Sequence, residues 1–270
     1  NIRDDASVAL AMQGADAVVN CVGTFDKGGK NNFGAVQHEG AERVARLAAA
    51  EGVGRLVHIS AIGADKGSDS LYARTKALGE EAILKHFPDA MILRPSVIFG
   101  AEDAFFNRFA GMTRFGPILP VVGASTRFQT VYVDDVAAAA ELGVTGQAAP
   151  GIYELGGPGV ATFRALMHKM LAVIGRRRAV VNLPFWLARF MAFWFDLWQS
   201  VSGGLIRAPL TRDQVRNLAH DNVVAEDAKG FSDLGIDPVA VEAVLPTYLW
   251  RFRPSGQYAA IKASARNLRA

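Results

Sequence analysis

The sequence predicts an α/β protein built on a doubly wound parallel sheet, and three observations support this. Short apolar segments alternate with amphipathic helical segments through the first hundred residues. The short segments are apolar at consecutive positions, which is typical of strands covered on both faces. Several of them end in small residues, which leave room for a ligand at the carboxyl ends of the strands, where sheets of this type bind their ligands. The chain has 270 residues, half of them hydrophobic, enough for a large core or a core plus a small lobe.

The elements of the first half follow one another in a regular order. Three helices are predicted from apolar residues at helical spacing, and three strands from short apolar runs. In chain order the segments are DASVALAMQG (helix), ADAVVNCVG (strand), GAVQHEGAERVARLAAAEGV (helix), RLVHIS (strand), SLYARTKALGEEAILKHF (helix) and AMILRPSVIFG (strand). This alternation predicts a sheet with helices on both faces.

The alternation weakens after Gly100. FQTVYVDDVAAAAELGV predicts a strand that runs into a helix, with Asp134 or Asp135 as the N-cap of that helix. GIYELGGPGVATFRALMHKMLAVIG repeats the order strand, glycine loop, helix. We therefore expect an α/β domain over residues 1–160.

Residues 161–270 are predicted to form a smaller, mostly helical C-terminal lobe that ends in a basic tail. Thr211 and Gln214 have the spacing of a capping box. Pro238 follows Asp237, and this pair predicts a helix with proline at its first position. The lobe also contains the aromatic segment 183–199.

Charge and cysteine content narrow the functional classes. The formal net charge is only +3, which does not indicate a general nucleic-acid-binding protein. The single cysteine, Cys21, excludes an internal disulfide and is expected in the core. The five histidines show no metal-ligand spacing, so no metal site is predicted. Two basic runs, 176–178 and 251–270, fit either a solvated face or an anionic partner, and both remain open.

The sharpest chemical pattern is formed by Ser60, Tyr72 and Lys76. Tyr72 and Lys76 are four residues apart and share one helix face, and Ser60 ends the preceding strand. In such an arrangement a lysine ammonium lowers the pKa of the tyrosine and binds the nicotinamide ribose. The phenol can then transfer a proton while the serine holds the substrate oxygen. These three are the candidate catalytic residues, should the protein be active.

The motifs NCVG, HISAIGAD, YARTK, ILRPSVIFG and VYVDDVA resemble the extended or atypical short-chain dehydrogenase/reductase superfamily, which has a Rossmann-type fold. They cover about residues 1–160. The segments APLTRDQVRNLAHDNVV, DLGIDP and LPTYLWRFRPSGQY resemble the nucleotide-binding accessory subunit family of respiratory complex I, the NADH:ubiquinone oxidoreductase. The pair LTRDQV and DNVV is the most specific part of this resemblance.

The resemblance implies a protein that binds NADPH tightly while it contacts complex I subunits of the peripheral arm and the membrane junction. Its nucleotide would be structural, since the electrons of complex I pass through other subunits. It implies a peripheral location on the cytoplasmic face of a bacterial inner membrane, or on the matrix face of the mitochondrial inner membrane.

The resemblance also assigns site residues. Three groups would line the cofactor at the ends of successive strands, and two helix residues would hold the nicotinamide ribose: Asn20, Val22 and Gly23; Ser60 and Ala61; Pro95, Ser96 and Val97; and Tyr72 with Lys76. The sequence has no G-x-G-x-x-G turn, so we expect an N-terminally truncated domain with its first strands missing. The choice of NADPH over NADH therefore rests on the resemblance alone.

Three functions are compatible with these residues, and a non-catalytic NADPH-binding subunit is favoured. A free-standing NAD(P)H-dependent reductase or nucleotide-sugar epimerase is the alternative, with Arg127 and Arg164 as groups that could hold a sugar or diphosphate. An assembly chaperone that later dissociates from the complex is the third. The glycine-rich loop 27–33 is expected near the cofactor as a cover.

The aromatic segment LPFWLARFMAFWFDLWQ contains three of the four tryptophans. It is too short to span a membrane and is interrupted by Arg189 and Asp196. A core helix of the lobe is one explanation. An interface with lipid headgroups or with a hydrophobic subunit is the other.

Overall fold

The computed structural model describes residues 1–26, 28–201, 210–254 and 256. The strands are β1 (Ala17–Asn20), β2 (Arg55–Ile59), β3 (Met91–Pro95), β4 (Ile98–Phe99), β5 (Ile118–Val122), β6 (Arg127–Phe128), β7 (Val131–Tyr132), β8 (Gly151–Leu155), β9 (Ala161–Thr162) and β10 (Ala179–Leu183). The α-helices are α1 (Asp5–Met12), α2 (Glu39–Ala50), α3 (Leu71–His86), α4 (Phe106–Met112), α5 (Val133–Thr145), α6 (Phe163–Ile174), α7 (Phe185–Val201), α8 (Arg212–Asn217) and α9 (Val241–Leu249). A π-helical turn, Gly34–His38, precedes α2, and two 3₁₀ turns occupy Phe231–Leu234 and Trp250–Phe252.

The main sheet has the strand order β1-β2-β3-β8, and all of its strands are parallel. Successive side chains of a strand point to opposite faces, so neighbouring residues of β2 enter different cores. Leu56 packs on the face covered by α1, α2 and α3, whereas Val57 packs with Val136 and Ala139 of α5 on the other face. The predicted doubly wound parallel sheet is confirmed.

Helix α3 lies close to the preceding segment because Gly79 has no side chain. A Cβ added at Gly79 would lie 2.2 Å from the carbonyl oxygen of Gln37. Thr75 of α3 also donates from its hydroxyl to Gln37 Oε1, at 2.7 Å. These contacts fix the helix that carries Tyr72 and Lys76 against the π-helical turn that precedes α2.

Three short strand pairs lie outside the main sheet. β4 pairs with β7 and β5 with β10, both in parallel, while β6 and β9 are antiparallel. The segment AMILRPSVIFG is therefore two strands, because Ser96 and Val97 turn toward Asn222 between them. The pair β5 and β10 was not predicted from the sequence.

A second core joins residues 99–128 to the C-terminal part of the chain. Phe99, Phe106 and Leu119 pack with residues of α6 and α9 such as Met167 and Leu245. The described part of residues 163–252 contains four helices and one five-residue strand, which confirms the mostly helical C-terminal lobe. The domain boundary at residue 160 stays a prediction.

The helix caps confirm one prediction and correct two. Thr211 and Gln214 form the predicted capping box of α8. Neither Asp134 nor Asp135 is the N-cap of α5, which begins at Val133, although both lie in its first turn. The prediction for Pro238 is also wrong: Asp135 accepts the amide of Val239 at 2.8 Å. This bond holds the chain outside the helix, and α9 begins only at Val241.

Candidate functional site

The carboxyl ends of β1, β2 and β3 meet along one edge of the main sheet, and α3 brings Lys76 to this edge. Lys76 is buried, and its ammonium donates to the carbonyl of Ile59 at 3.0 Å. Burial lowers the pKa of Lys76 to about 8, and the charge of Glu80 counteracts part of this effect. The ammonium of Lys76 is therefore held at the carboxyl end of β2, close to the end of β1.

Tyr72 lies beneath two phenylalanines from the segment that follows β1. Phe25 stacks on its ring with centroids 5.3 Å apart, and Phe33 meets it edge-on at 6.0 Å. Burial raises the pKa of Tyr72 to about 12. The expected lowering of this pKa is wrong for the chain as it stands, because desolvation disfavours the phenolate. Phe33 ends the predicted cover loop, whose Lys27 lies outside the described residues.

The Ser60 hydroxyl is already used in a hydrogen bond inside the protein. The hydroxyl donates to Oε1 of the buried Glu80, and Glu80 also accepts from Arg94 Nη2 at 2.6 Å. Arg94 lies 3.4 Å from a second carboxylate, that of Glu154. Sequence reasoning missed Glu80, although it follows Lys76 by four residues and so shares its helix face.

The end of β1 is organised by Asn20. Its amide donates to His58 Nδ1 at 3.1 Å, and its Oδ1 accepts the amide of Val22 at 3.1 Å. A Cβ at Gly23 would lie 3.9 Å from Lys76 Nζ, so this glycine is beside the ammonium. The expectation that Cys21 is in the core is wrong: the strand ends at Asn20, and Cys21 is exposed beyond it.

His58 is a second residue that sequence reasoning missed. It is 1% exposed, and no described residue accepts or donates a hydrogen bond at its Nε2. Burial, and then the charge of Lys76, lowers the pKa of His58 to about 3, so the imidazole is neutral. The apolar pattern of RLVHIS predicts only a strand at this position.

The remaining assigned residues lie at the ends of β2 and β3. Ala61 is half-buried in the turn that follows Ser60. Pro95 and Ser96 are buried, and Asn222 accepts the Ser96 hydroxyl at 2.6 Å and the Val97 amide at 3.1 Å. Asn222 belongs to the DNVV motif, so the C-terminal part of the chain fixes the end of β3.

The other C-terminal contact reaches the start of α3. Asp213 of α8 is buried and accepts three hydrogen bonds there, from Ser70 Oγ at 2.9 Å, Leu71 N at 2.8 Å and Tyr72 N at 3.2 Å. Asp213 belongs to the LTRDQV motif. The two most specific motifs of the sequence thus position the Tyr72 helix and the β3 terminus.

These features fit the nicotinamide and ribose half of a dinucleotide. Lys76 would supply a donor for ribose oxygens, and Gly23 leaves room beside it. The exposed Val22 and Phe25 would offer apolar surface to a flat ring. The candidates for a sugar substrate are engaged elsewhere. Arg127 pairs with Asp221 at 2.8 Å, and Arg164 donates to the carbonyl of Val180 at 3.0 Å.

Helix α7 contains most of the aromatic segment and packs by its small residues. Ala188 and Ala192 are buried against Val122 and Val215. Six large apolar side chains of the helix are exposed, whereas the other large apolar side chains that the structure describes there are half-buried. The exposed ones are Trp186, Phe190, Phe193, Trp194, Leu197 and Trp198. In the part of the chain that the structure describes, no helix is both long and apolar enough to cross a membrane.

Known proteins resemble this chain at two levels, in the nucleotide-binding fold and over almost the whole sequence. Residues 1–99 match a family model described as NAD(P)H-binding. A dTDP-glucose 4,6-dehydratase from Streptomyces venezuelae with NAD bound superposes with a TM-score of 0.69. It covers 93% of this chain and 77% of that one at 22% identity, which supports the fold alone.

Two mitochondrial relatives extend over almost the whole chain. NADH dehydrogenase [ubiquinone] 1 alpha subcomplex subunit 9 from Arabidopsis thaliana is 34% identical over 94% of this chain and 65% of its own length. The 40 kDa subunit of NADH-ubiquinone oxidoreductase from Neurospora crassa is 30% identical over 96% of this chain and 67% of its own length. The chain thus spans about two thirds of these relatives, and it belongs to the family of the NADH-ubiquinone oxidoreductase 40 kDa subunit.

Proposed function

We propose that the chain is a non-catalytic NADPH-binding accessory subunit of NADH:ubiquinone oxidoreductase, which stabilises or helps to assemble the peripheral arm near the membrane. The observation that carries this proposal is the bond from the Ser60 hydroxyl to the buried Glu80. In a reductase of this fold that hydroxyl would hold the substrate oxygen. Here it satisfies a carboxylate that also binds Arg94, so it serves the interior of the protein.

The state of Tyr72 supports the same conclusion. A general acid or base works best when its pKa lies near the working pH. Burial raises the pKa of Tyr72 to about 12, and Phe25 covers one face of its ring. With a pKa of about 12 the phenol is far from the range in which it would exchange a proton readily at neutral pH.

The proposed nucleotide contacts use the assigned residues as a binding surface. Lys76 donates to ribose oxygens, Tyr72 lies beside the same ribose, and Asn20, Val22 and Gly23 line the cofactor at the end of β1. Ser60, Ala61, Pro95, Ser96 and Val97 border the nicotinamide. When bound, the negatively charged nucleotide would fill the edge of the sheet and stabilise it, and it would not transfer its hydride.

Native mass spectrometry of the full-length protein and its complex tests this function. Tyr72→Phe keeps the ring that stacks on Phe25, so we expect retained NADPH and unchanged co-purification with complex I subunits. Lys76→Met removes the ammonium and should reduce NADPH occupancy. Tyr153→Phe is the matched control, because its hydroxyl donates to Ala149 away from the site.

The competing reductase function predicts a different result. NADPH oxidation by a carbonyl substrate at ordinary enzyme rates, abolished by Tyr72→Phe, would overturn the accessory function. Stoichiometric presence in the mature complex would separate a subunit from a chaperone that dissociates. Bound NADH in place of NADPH would correct the cofactor while leaving the subunit role intact.

We further propose that α7 attaches the subunit peripherally, with its exposed aromatic face in the lipid headgroup region. Trp186, Trp194 and Trp198 lie on this face, and tryptophan is enriched where protein meets the membrane interface. The site of attachment would be the cytoplasmic face of a bacterial inner membrane or the matrix face of the mitochondrial one. The partners would be complex I subunits of the peripheral arm and the membrane junction, with no role for nucleic acid.

A further inference from the structure

Two basic runs that are far apart in the sequence meet at the end of α6. Arg176 donates from Nε to the carbonyl of Phe252 at 3.0 Å. Arg253 donates from Nε to the carbonyl of Val173 at 2.8 Å. These reciprocal bonds join the run 176–178 to the start of the basic tail. The later basic residues of that tail, Lys262, Arg266 and Arg269, lie outside the described residues.

A cleft of about 470 Å³ opens beside this junction. Its lining includes His168 and the three consecutive arginines 176–178. Arg178 is oriented by its own backbone partners, since its Nε donates to the Thr113 carbonyl at 2.9 Å and its Nη1 to the Arg177 carbonyl at 2.9 Å. The fold therefore holds two of the three guanidinium groups, those of Arg176 and Arg178, at the cleft.

Among the described residues, no carboxylate forms an ion pair with the arginines at this place. Six arginines surround the junction, and within the described ranges none of them forms an ion pair: Arg114, Arg176, Arg177, Arg178, Arg251 and Arg253. Arg114 and Arg251 lie over the Phe252 ring, at 5.2 and 5.4 Å from its centroid. On the neighbouring α9, Glu242 already pairs with Lys169.

Stabilisation of the α6 carboxyl end explains only part of this cluster. Cations are favourable near the exposed carbonyls of a helix end, and Arg253 has such a position at Val173. Arg177 does not: it is exposed, and its side chain forms no hydrogen bond or ion pair with another described residue. A fixed cleft with an unused guanidinium is suited to bind an anion.

We propose that this cleft is a binding site for a phosphate-bearing anion, with Arg177 as its principal free ligand. Guanidinium groups bind phosphate oxygens through paired, charge-assisted hydrogen bonds. The backbone-anchored Arg176 and Arg178 add charge on either side of Arg177. The same chemistry is offered by a soluble phosphorylated ligand and by the headgroup of an anionic phospholipid. The site is separate from Lys76 and Tyr72 and does not depend on the nucleotide.

The test compares two probes on the full-length protein. Inorganic pyrophosphate binding is measured by isothermal titration calorimetry. Vesicle binding is measured by co-sedimentation with 80:20 phosphatidylcholine and phosphatidylglycerol, against pure phosphatidylcholine. Arg177→Gln should weaken binding of the active probe about tenfold, which corresponds to loss of one charged hydrogen-bonding partner. Arg177→Lys keeps the charge without the planar fork and should lose less.

Arg46→Gln is the matched control, because it removes the same charge from α2, where Arg46 pairs with Asp5 at 2.6 Å. Binding of pyrophosphate that depends on Arg177 identifies a soluble ligand. Vesicle binding that depends on Arg177, without pyrophosphate binding, identifies a lipid headgroup. The proposal is overturned when neither probe binds, when Arg177→Gln binds both as tightly as the wild type, or when Arg46→Gln has an equal effect.

Discussion

Burial determines the protonation of the side chains around the sheet edge more than their charges do. Desolvation is the largest cause of the shifts at His58, Tyr72 and Lys76, and in each case it favours the neutral form. Lys76 is the exception in effect, because a pKa of about 8 still leaves most of its ammonium protonated at neutral pH. At the sheet edge the Lys76 ammonium thus lies beside a neutral imidazole and a neutral phenol, with the carboxylate of Glu80 as its charged neighbour.

We predict that His58 makes the protein sensitive to acid. Its pKa is about 3 when folded and about 6.5 when unfolded, so the unfolded chain binds the additional proton between these values. Stability is fully present above pH 6.5 and falls as the pH decreases toward 3. His58→Gln can still accept from Asn20 and should reduce the loss between pH 7 and pH 4.5 by roughly 2 to 3 kcal/mol.

Urea unfolding at pH 7.0, 5.5 and 4.5 measures this effect. His220→Gln is the control, because His220 is exposed and forms only a surface contact with Asp69 at 3.8 Å. An equal loss of stability in the wild type and in His58→Gln would contradict the role given to His58.

At the scale of elements, α8 links the helix of the proposed nucleotide site, α3, to the helix of the proposed membrane attachment, α7. Asp213 holds the first turn of α3, and Arg212 binds Asp196 of α7 at 3.1 Å while lying 5.6 Å from the Phe193 ring. Val215 packs against Ala188 and Ala192. One short helix therefore contacts both the Tyr72 helix and the aromatic helix.

We predict that Asp213→Ala loosens the start of α3. The substitution leaves the Leu71 and Tyr72 amides and the Ser70 hydroxyl without their acceptor, and it should destabilise the protein by about 2 kcal/mol. Asp213→Asn keeps one acceptor oxygen and should have an intermediate effect. Hydrogen exchange at Leu71 and Tyr72, with urea unfolding, measures both.

The exposed Asp227 provides the control Asp227→Ala. Wild-type exchange rates at Leu71 and Tyr72 in Asp213→Ala would show that the helix start does not depend on this carboxylate.

The helices and strands of the first half could be predicted because they all pack on one sheet. Its strands are apolar on both faces, and the helices that cover it have apolar residues at helical spacing. The true start of α9 at Val241 could not be predicted, because a distant carboxylate, Asp135, binds the amide of Val239 and the helix begins later than the sequence suggests. Similarly, residues of β5 pair with residues of β10 that lie about 60 positions later, such as Ile118 with Ala179, and no local pattern marks this partner. Local propensity predicts an element, whereas its ends depend on contacts that are distant in sequence.

At the scale of the whole molecule, the exposed face of α7 is the largest departure from an ordinary folded domain. The helix buries alanines and exposes tryptophans, the reverse of a core helix. The core-helix explanation accounts for its buried alanines, and the interface explanation of its exposed aromatic residues stays a prediction.

We predict that Trp194→Glu leaves NADPH bound but loosens the protein from its membrane complex. The substitution places a charge in the exposed aromatic face, about half of Trp194 being accessible, and does not touch the sheet edge. Co-purification with complex I and vesicle co-sedimentation measure attachment, and native mass spectrometry measures the nucleotide. Leu10→Glu changes an exposed apolar residue on α1 that is more accessible than Trp194, and it is the control. Unchanged attachment would assign α7 to the protein's own folding.

Of the candidate site, the sequence predicts the residues at strand ends and the pair on α3, because both follow from the topology of the sheet. It does not predict Glu80, His58, Asp213 and Asn222 as members of the site. The last two lie in motifs identified by resemblance, but their contacts cross about 140 and 125 residues of chain. Such contacts arise only when the C-terminal part folds back over the sheet.

The order of Arg212 and Asp213 along α8 has a consequence for sequence change in this family. The two charges are adjacent, yet each faces a different neighbour: a carboxylate on α7 for the first, and backbone amides of α3 for the second. Exchanging them would leave composition and net charge untouched while setting carboxylate against carboxylate and guanidinium against amide donors. Such an exchange would thus remove the polar contacts of α8 to both neighbours at once, although a count of residues would not reveal it.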